Sequence, residues 1–301
     1  MELDFVEWLR GRSAPTASIS LTVGDDAAAL LFASDHEAIV TTDMLMDGTD
    51  FLVAEHAPER IGRKALAVNL SDLAAMGASP VAAFVSLALP EDSAELARRL
   101  MTGVMQLSEE FACPIAGGDT NVWRGPLVIN VTAIGECPRG CAWKRSGLQL
   151  GDEVWATGSF GGSIHGKHFD FTPRLREAAA LRTAVDVHAA IDVSDGLSLD
   201  LWRLVEASGC GVEFFHDEAP IAPAALLDDR RTPLEHALAD GEDFELIFAV
   251  SPADGAKLRE SPPFPTPLTC IGRVVREPGA WLRGSVGAQL LPKRGYVHGQ
   301  V

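Results

Sequence analysis

Residues 61–89 read IGRKALAVNLSDLAAMGASPVAAFVSLAL, and this stretch decides the fold class. Up to residue 76 its apolar residues recur at helical spacing, and Gly77 is a typical residue for ending a helix. From residue 81 to residue 89 the chain is almost continuously apolar, which is typical of a buried strand. A helix followed by a buried strand is the building unit of an α/β domain. The sequence therefore predicts an α/β fold.

The same alternation continues in both directions from this stretch. It predicts strands at 38–42, 127–134, 153–157, 244–250 and near 268–274, and helices at 93–112 and 196–208. Between them, residues 136–151 (ECPRGCAWKRSGLQLG) are rich in Pro, Gly, Cys and basic residues, a composition typical of a domain boundary. We therefore expect two α/β units in series, spanning residues 1–142 and 143–301.

The composition of the chain limits its partners. Of 301 residues, 25 are Lys or Arg and 42 are Asp or Glu, which gives a net charge of −17. Nucleic acids and membrane surfaces are anionic and would be repelled, so neither is an expected partner. Any phosphate substrate would have to be approached through metal ions. The five cysteines are scattered, and the N-terminus MELDFVEWLRGR lacks signal-peptide organisation, so we expect a cytoplasmic protein.

Acidic residues recur in short clusters that contain Gly, Ser or Thr and lie beside apolar runs. The clusters are VGDDA (Asp25, Asp26), TTD (Asp43), NLSD (Asp72), AGGD (Asp119), IDVSDG (Asp192, Asp195) and DGED (Asp240, Glu242, Asp243). A carboxylate directly after a buried strand projects into the crevice at the sheet edge, where α/β sheets bind ligands. Hard oxygen ligands in such numbers suit Mg²⁺. Asp is also common in turns and helix caps, but the repetition of the pattern favours a joint metal site.

Other motifs for phosphate, zinc or covalent chemistry are incomplete. Residues 161–167 (GGSIHGK) match G-x4-G-K, but His168 follows where a P-loop needs Ser or Thr. Cys137 and Cys141 form a C-x3-C pair without a second pair for zinc, and the histidines have no metal-ligand spacing. The chain has no G-x-G-x-x-G after a strand and no G-x-S-x-G elbow. A nucleotide would therefore be bound by another architecture.

Taken in order, the acidic clusters resemble the thiamine-monophosphate kinase family, within the superfamily of aminoimidazole ribonucleotide synthetase-like ATP enzymes. The matching stretches run through nearly the whole chain in the order that the family has. They lie at 23–31, 41–51 (TTDMLMDGTDF), 64–80 (KALAVNLSDLAAMGASP), 116–120 (AGGDT), 144–158 (KRSGLQLGDEVWATG), 191–201 (IDVSDGLSLDL) and 238–246 (LADGEDFEL).

The resemblance implies two α/β domains, the first of which pairs across a homodimer to complete a shared β-barrel. It also implies transfer of the γ-phosphoryl group of ATP to thiamine monophosphate, which gives thiamine diphosphate. Because the acceptor phosphate is already ionised, no general base is expected, and catalysis consists of positioning and charge neutralisation by several Mg²⁺ ions. Carried over by position, the implied Mg²⁺ ligands are Asp26, Thr41, Thr42, Asp43, Asp72, Asp119, Asp192 and Asp195. The implied nucleotide contacts are Gly118, Asp119, Arg145 and Ser194, and Glu242 is the implied contact to the thiamine moiety.

Three departures from the family concern the acceptor side. Asp50 stands where the family usually has His, and Lys293 stands where an aromatic residue is expected, so both are candidate acceptor contacts. The segment after Gly158 is short and loses most of a helix. Two alternatives stay open, namely a superfamily enzyme that acts on another small acceptor and a non-catalytic homologue that binds nucleotide and metal.

Overall fold

The chain forms two α/β units in series, which confirms the predicted class. The structure is a computed structural model that describes residues 8–9, 11–12, 16–21, 28–227, 229–284 and 287–297. One unit comprises Met1–Leu73 and Ala78–Ala142, and the other comprises Ala74–Gly77 and Trp143–Val301. Within the described ranges, no helix is both long and apolar enough to cross a membrane.

The first unit is built on a four-stranded sheet with the strand order β3-β6-β4-β5. Strands β4 and β5 are parallel, and the other two pairs are antiparallel. A separate two-stranded ribbon pairs β1 with β2. The elements are β1 (Ile19–Leu21), β2 (Ala29–Leu30), β3 (His36–Met46), α1 (Pro58–Ala75), β4 (Ser79–Pro90), α2 (Ala94–Glu110), β5 (Ile115–Trp123) and β6 (Val128–Pro138).

The two faces of this sheet differ in polarity and exposure. On β6, alternate residues such as Ile129 and Val131 are buried, and Leu73 of α1 packs against Gly135 in the same row. On β3 the residues that point to the opposite face are exposed although several are apolar, since Val40 is 61% and Met44 is 60% exposed. Side chains alternate between the faces of a strand, so the helices cover one face and leave open the other, which carries several exposed apolar side chains.

Helices α1 and α2 touch backbone to backbone at two glycines. A Cβ on Gly62 would lie 2.0 Å from the carbonyl oxygen of Leu100, and a Cβ on Gly103 would lie 1.8 Å from that of Glu59. Glu59 also forms a two-pronged ion pair with Arg99, at 2.7 and 2.9 Å. This close packing fixes the position of α1, which carries Asp72.

The second unit is built on a seven-stranded sheet with the order β13-β12-β9-β11-β7-β10-β8. Among its described strands only β9 and β12 pair in parallel. Its core is formed by side chains such as Val154, Ile191 and Leu204. The elements are β7 (Glu153–Thr157), α3 (Lys167–Asp170), α4 (Leu175–Ala184), β8 (Val187–Asp192), α5 (Leu197–Ser208), β9 (Gly211–Phe214), α6 (Pro233–Ala239), β10 (Leu246–Val250), α7 (Pro252–Glu260), β11 (Leu268–Val275), β12 (Gly279–Gly284) and β13 (Gly287–Leu290).

A buried ionic cluster lies at the start of β10. The carboxylate of Glu245, which is 1% exposed, accepts two hydrogen bonds of 2.7 Å from Arg174 and one of 2.9 Å from Lys167. Thr157 donates a further bond of 2.7 Å. These contacts hold the pKa of Glu245 below its ordinary value despite burial. The neighbouring Asp243 is also fully buried, and there burial prevails and raises the pKa to about 6.

Gly103→Ala should destabilise the protein. The new methyl group would overlap the Glu59 carbonyl and force the two helices apart, and overpacking of this kind costs about 1–3 kcal/mol of unfolding free energy. Urea denaturation followed by circular dichroism measures the loss. Gln106→Ala on the exposed side of the same helix is the control and should change stability by less than about 0.5 kcal/mol. A Gly103→Ala protein as stable as the parent would contradict the close helix contact.

Asp243→Asn should change the pH dependence of stability. The pKa of Asp243 is about 6 in the folded protein, against an ordinary value of 3.8. Between those values the folded state holds a proton that the unfolded chain releases, so the parent's unfolding free energy falls as pH rises through this window. The variant cannot titrate there, and its stability relative to the parent should rise by up to about 3 kcal/mol from pH 4 to pH 6. Urea titrations at pH 4, 5, 6 and 7 measure the difference. Parallel pH profiles of the two proteins would refute the buried, protonated carboxyl.

Candidate functional site

Two carboxylates and a hydroxyl group lie together between β3 and α1 in the first unit. Thr41 and Asp43 are two residues apart on β3, so their side chains point to the same face, towards α1. The hydroxyl of Thr41 donates a short hydrogen bond to Oδ2 of Asp72, which lies in the last turn of α1. Burial, and after it the charge of Asp72, raises the pKa of Asp43 to about 7. The charge of Asp72 therefore destabilises the ionised form of Asp43.

Asn69 adds an unsatisfied oxygen to the same helix surface. The side chain is fully buried, and its amide nitrogen donates to the carbonyl oxygen of Ala65 at 3.1 Å. Its Oδ1 is buried and accepts no hydrogen bond from any residue that the structure describes. Because Asn69 and Asp72 are three residues apart on a helix, their side chains are neighbours. A buried acceptor without a donor is costly, and a cation would satisfy it.

This donor set fits a hard cation. The Thr41 hydroxyl, the Asn69 amide oxygen and the carboxylates of Asp43 and Asp72 are all oxygen donors, which is the chemistry that Mg²⁺ selects. The set holds only two carboxylates. Among the described residues, no three His, Cys, Asp or Glu side chains come together closely enough to hold a metal ion by themselves. A magnesium ion here would thus need water or substrate phosphate oxygens as further ligands, as is usual for this metal.

Two other implied metal ligands of the first unit, Thr42 and Asp119, lie apart from this group. The Thr42 side chain points to the open face of the sheet, where its hydroxyl lies 3.0 Å from that of Thr132 on β6. Asp119 is exposed on β5, and its Oδ1 accepts a bond from the amide of Thr120. Asp26 lies outside the described residues.

The expected placement of these acids at strand ends is wrong for two of them. Asp43 and Asp119 lie inside β3 and β5 and do not follow them. The sequence prediction ended β3 too early, and it missed β5 because glycine pairs are poor strand formers. The close approach of strand β4 explains why residue 118 is a glycine. A Cβ there would lie 1.9 Å from the carbonyl oxygen of Val85 on that paired strand.

In the second unit, Asp192 ends β8 and the loop of residues 193–196 leads into α5, as expected for a strand-end carboxylate. This loop is held by a residue that the sequence reasoning missed. Oδ2 of Asp200, from the first turn of α5, accepts hydrogen bonds from the amides of Asp195 at 3.0 Å and Gly196 at 3.2 Å. Arg203 pairs with both Asp195 and Asp200 through short contacts. The Asp195 carboxylate is therefore already paired with a cation.

The segment Asp240–Glu245, here called the DGED loop, lies against the loop 193–196. The amide of Glu242 donates to the carbonyl oxygen of Ser194 at 2.6 Å, and the amide of Phe244 donates to that of Val193 at 2.8 Å. Glu242 and Phe244 both have a positive φ, of 53° and 51°. The candidate nucleotide contact Ser194 and the candidate thiamine contact Glu242 are thus direct neighbours.

The P-loop-like segment 161–167 binds carboxylates of its own chain. The amide of Gly161 donates to both oxygens of Asp243, at 3.1 and 3.0 Å, and the amide of Gly162 donates to Asp240 at 2.7 Å. Lys167 lies 3.4 Å from Asp243. The amides and the lysine that would bind a phosphate in a P-loop are therefore engaged by the DGED loop.

Asp50 and Lys293, the two residues that depart from the family pattern, each contact other residues of the chain. Oδ2 of Asp50 accepts a hydrogen bond of 2.7 Å from the amide of Met46 and so closes a turn. The ammonium of Lys293 makes a short ion pair with Glu206 and lies 4.7 Å from the ring centre of Trp202. Both partners of Lys293 belong to the later turns of α5 and not to its N-terminal end.

Two further candidate residues contact opposite ends of α5. The side chain of Arg145 is exposed, and its carbonyl oxygen accepts a bond from the Ser208 hydroxyl at 3.2 Å. The amide of Tyr296 donates to the carbonyl oxygen of Asp195 at 2.9 Å, and its side chain is 48% exposed. The sequence analysis expected an aromatic residue at the position of Lys293. Tyr296, the chain's single tyrosine, lies three positions later.

Comparison with known proteins covers nearly the whole chain. The profile of the AIR synthase related protein N-terminal domain matches residues 24–137, and that of the C-terminal domain matches residues 144–282. A thiamine-monophosphate kinase of Rhodopirellula baltica is 42% identical over 313 residues, covering 100% of this chain and 98% of the relative. The Bacillus subtilis thiamine-monophosphate kinase is 33% identical and covers 99% of both chains.

Solved structures agree with these relatives. The thiamine-monophosphate kinase of Stenotrophomonas maltophilia K279a superposes with a TM-score of 0.82 at 34% identity, covering 92% of this chain and 95% of that one. A structure of AaThiL complexed with AMPPCP and TMP gives a TM-score of 0.78 at 27% identity, covering 98% and 95%. The hydrogenase maturation protein HypE of E. coli shares the fold, with a TM-score of 0.76 at 21% identity, covering 97% and 98%. From the two matching domains and the full-length relatives, the chain belongs to the thiamine-monophosphate kinase family of AIR synthase related proteins.

Proposed function

We propose that this protein transfers the γ-phosphoryl group of ATP to thiamine monophosphate and so forms thiamine diphosphate. The observation that carries the proposal is the group formed by Thr41, Asp43 and Asp72, whose oxygen donors fit a cation, in a chain of this family. A related protein has been solved with an ATP analogue and TMP together, which supports both substrates.

Metal ions would be held mainly by the carboxylates of Asp43 and Asp72. Mg²⁺ supplies neutralisation of the phosphate charge that builds up during in-line transfer. Asp43 and Asp72 would lose their mutual repulsion when a cation is present, which would lower the raised pKa of Asp43. By analogy with the family, the remaining ligands would be Asp26, Thr41, Thr42, Asp119, Asp192 and Asp195. For Thr42 the backbone is the better candidate, since its side chain lies on the other face of the sheet.

The nucleotide and the acceptor would be held by loops of defined geometry. We assign Gly118, Asp119, Arg145 and Ser194 to the nucleotide, as the family resemblance implies. Glu242 is our main acceptor contact, because its carboxylate is exposed to 36% and lies next to Ser194.

The remaining acceptor candidates differ in the contacts that they would have to break to reach a substrate and in their exposure to solvent. Asp50 would reach an acceptor only by releasing the Met46 amide, and Lys293 only by leaving Glu206 and Trp202. Tyr296 is already half exposed beside Asp195 and offers a ring for stacking, so we rank it above Lys293 as an acceptor contact.

We also propose a homodimer formed through the open face of the four-stranded sheet. Val40, Met44 and Met46 expose apolar side chains there in one row of β3, on either side of the exposed Thr42. Exposed apolar side chains grouped on one face mark a protein interface more often than free surface. Pairing of this face with a second copy would complete the shared β-barrel that the family resemblance implies.

Thiamine diphosphate formation from ATP and thiamine monophosphate tests the function, and Asp72→Asn tests the site. The parent should form product only with Mg²⁺ present. The variant removes one of the two negative charges at the cation site, so we expect turnover to fall about a hundredfold or more, while the circular dichroism spectrum stays unchanged. Excess Mg²⁺ should recover part of the activity.

Asp92→Asn is the matched control for this experiment. It is the same chemical change at an exposed turn of the first unit, where a positive φ suits Asn as well as Asp. Its turnover should equal that of the parent. A parent that forms no thiamine diphosphate would refute the function, and an active Asp72→Asn protein would refute the cation site.

Met44→Asp should dissociate the proposed dimer. A carboxylate at the centre of the apolar row would have to be buried without a partner, which costs several kcal/mol. Static light scattering at micromolar concentration should give twice the chain mass for the parent and the single chain mass for the variant. Leu290→Asp, an equivalent change at an exposed residue of the second unit, should stay dimeric. A monomeric parent would contradict the interface.

A further inference from the structure

The segment Lys167–Arg174 contacts the DGED loop one residue after another. His168 pairs with Glu242, Lys167 with Asp243, Phe171 with Phe244, and Arg174 with Glu245. Four successive residues of the loop therefore each have a partner in one short segment. This segment, here called the clamp, directly follows the shortened stretch after Gly158.

The clamp holds a backbone that is unfavourable by itself. Glu242 and Phe244 adopt left-handed backbone conformations without being glycine, at a cost of about 1–2 kcal/mol for each residue. Such conformations persist where surrounding contacts enforce them, and they are enriched at functional sites. The stacked rings of Phe171 and Phe244, with centres 4.0 Å apart, enforce one of them.

His168 acts on the other strained residue through its side chain. Its imidazole is 6% exposed and packs on Phe169 with ring centres 4.2 Å apart, so its position is fixed. Nδ1 lies 3.2 Å from Oε2 of Glu242. The Glu242 carboxylate is itself 36% exposed, so a bound molecule can reach it while His168 holds it from behind.

We propose that His168 is a positioning residue that holds the Glu242 carboxylate in place for the acceptor. The inference rests on the proposed function, and it adds to it a residue of the clamp that does not touch the substrate. The Nδ1–H group would donate to Oε2 of Glu242 and restrict its rotation. A carboxylate fixed in this way binds an amino group or a cationic ring of the acceptor without losing its own rotational freedom on binding.

Two amide variants of His168 distinguish a positioning role from a role limited to folding. Asn places its amide nitrogen near the position of the histidine Nδ1, whereas Gln carries its amide one carbon further out. His168→Asn therefore keeps a donor for Glu242 and His168→Gln does not, although both are neutral amides. This pair separates the position of the donor from the mere presence of a polar side chain.

The experiment compares His168→Ala, His168→Asn and His168→Gln in steady-state kinetics with ATP and thiamine monophosphate. For the Ala and Gln variants we expect KM for thiamine monophosphate to rise about tenfold, the effect of one lost hydrogen bond. KM for ATP and kcat should change less than about threefold, and the Asn variant should regain most of the loss. Calorimetric titration with thiamine monophosphate should show the same order in Kd.

A double variant tests whether His168 acts through Glu242. In a Glu242→Ala background, His168→Ala should add less than about twofold to KM for thiamine monophosphate, because the acceptor of the His168 bond is already gone. Full additivity, or KM values for both substrates that rise together with a fall in Tm, would overturn the positioning role. So would an Asn variant no better than Gln.

The kinetic results distinguish a failure of the proposed function from a failure of the His168 inference alone. A parent protein that neither turns over nor binds thiamine monophosphate would end both the function and this inference. A fully active parent whose Glu242→Gln variant is impaired while all three His168 variants behave like the parent would overturn the inference alone.

Discussion

The placement of Asp43 beside Asp72 is the constraint on which the candidate cation site of the first unit depends. Two partly buried carboxylates side by side favour one shared proton, as the pKa of about 7 for Asp43 shows, unless a cation stands between them. Contacts elsewhere in the fold hold the two carboxylates side by side. Strand β3 fixes Asp43, and the glycine contacts of α1 with α2 fix the helix that carries Asp72. A cation bound beside Asp43 would relieve this repulsion, and that is the physical basis of the proposed metal site.

The second unit handles its buried charge in the opposite way. Glu245 has two cations of its own chain within hydrogen-bond distance, and Asp200 has Arg203 in the next turn of its helix. Both carboxylates are therefore satisfied internally and serve to hold loops. The DGED loop is held through Glu245, and the loop 193–196 is held through Asp200. Acidic residues that look alike in the sequence thus differ in the structure, since Asp43 is destabilised by a neighbouring carboxylate whereas Glu245 and Asp200 are paired with cations of their own chain.

Sequence reasoning predicted elements with strong apolar periodicity and missed those without it. Strand β7 has the predicted bounds, and α1 and β4 begin only two or three residues early, because their apolar patterns are long. Strand β5 was missed because IAGGDTNVW has no apolar alternation, and its pairing with β4 is a tertiary effect. The acidic clusters were found as motifs, but their contacts join residues far apart in the chain, such as Thr41 with Asp72 (31 positions) and Lys167 with Glu245 (78 positions). Neither propensity nor spacing carries that information.

The GGSIHGK segment shows why a motif needs its surroundings. Its amides and its lysine have the chemistry of a phosphate-binding loop, and in this fold that chemistry is used on Asp240 and Asp243. An anion of the same chain is always present at high effective concentration, so it excludes a free phosphate from these amides. The residue that breaks the motif, His168, instead contacts Glu242. What the sequence shows as a failed nucleotide motif is therefore, in physical terms, the support of the loop that carries Glu242, the proposed acceptor contact.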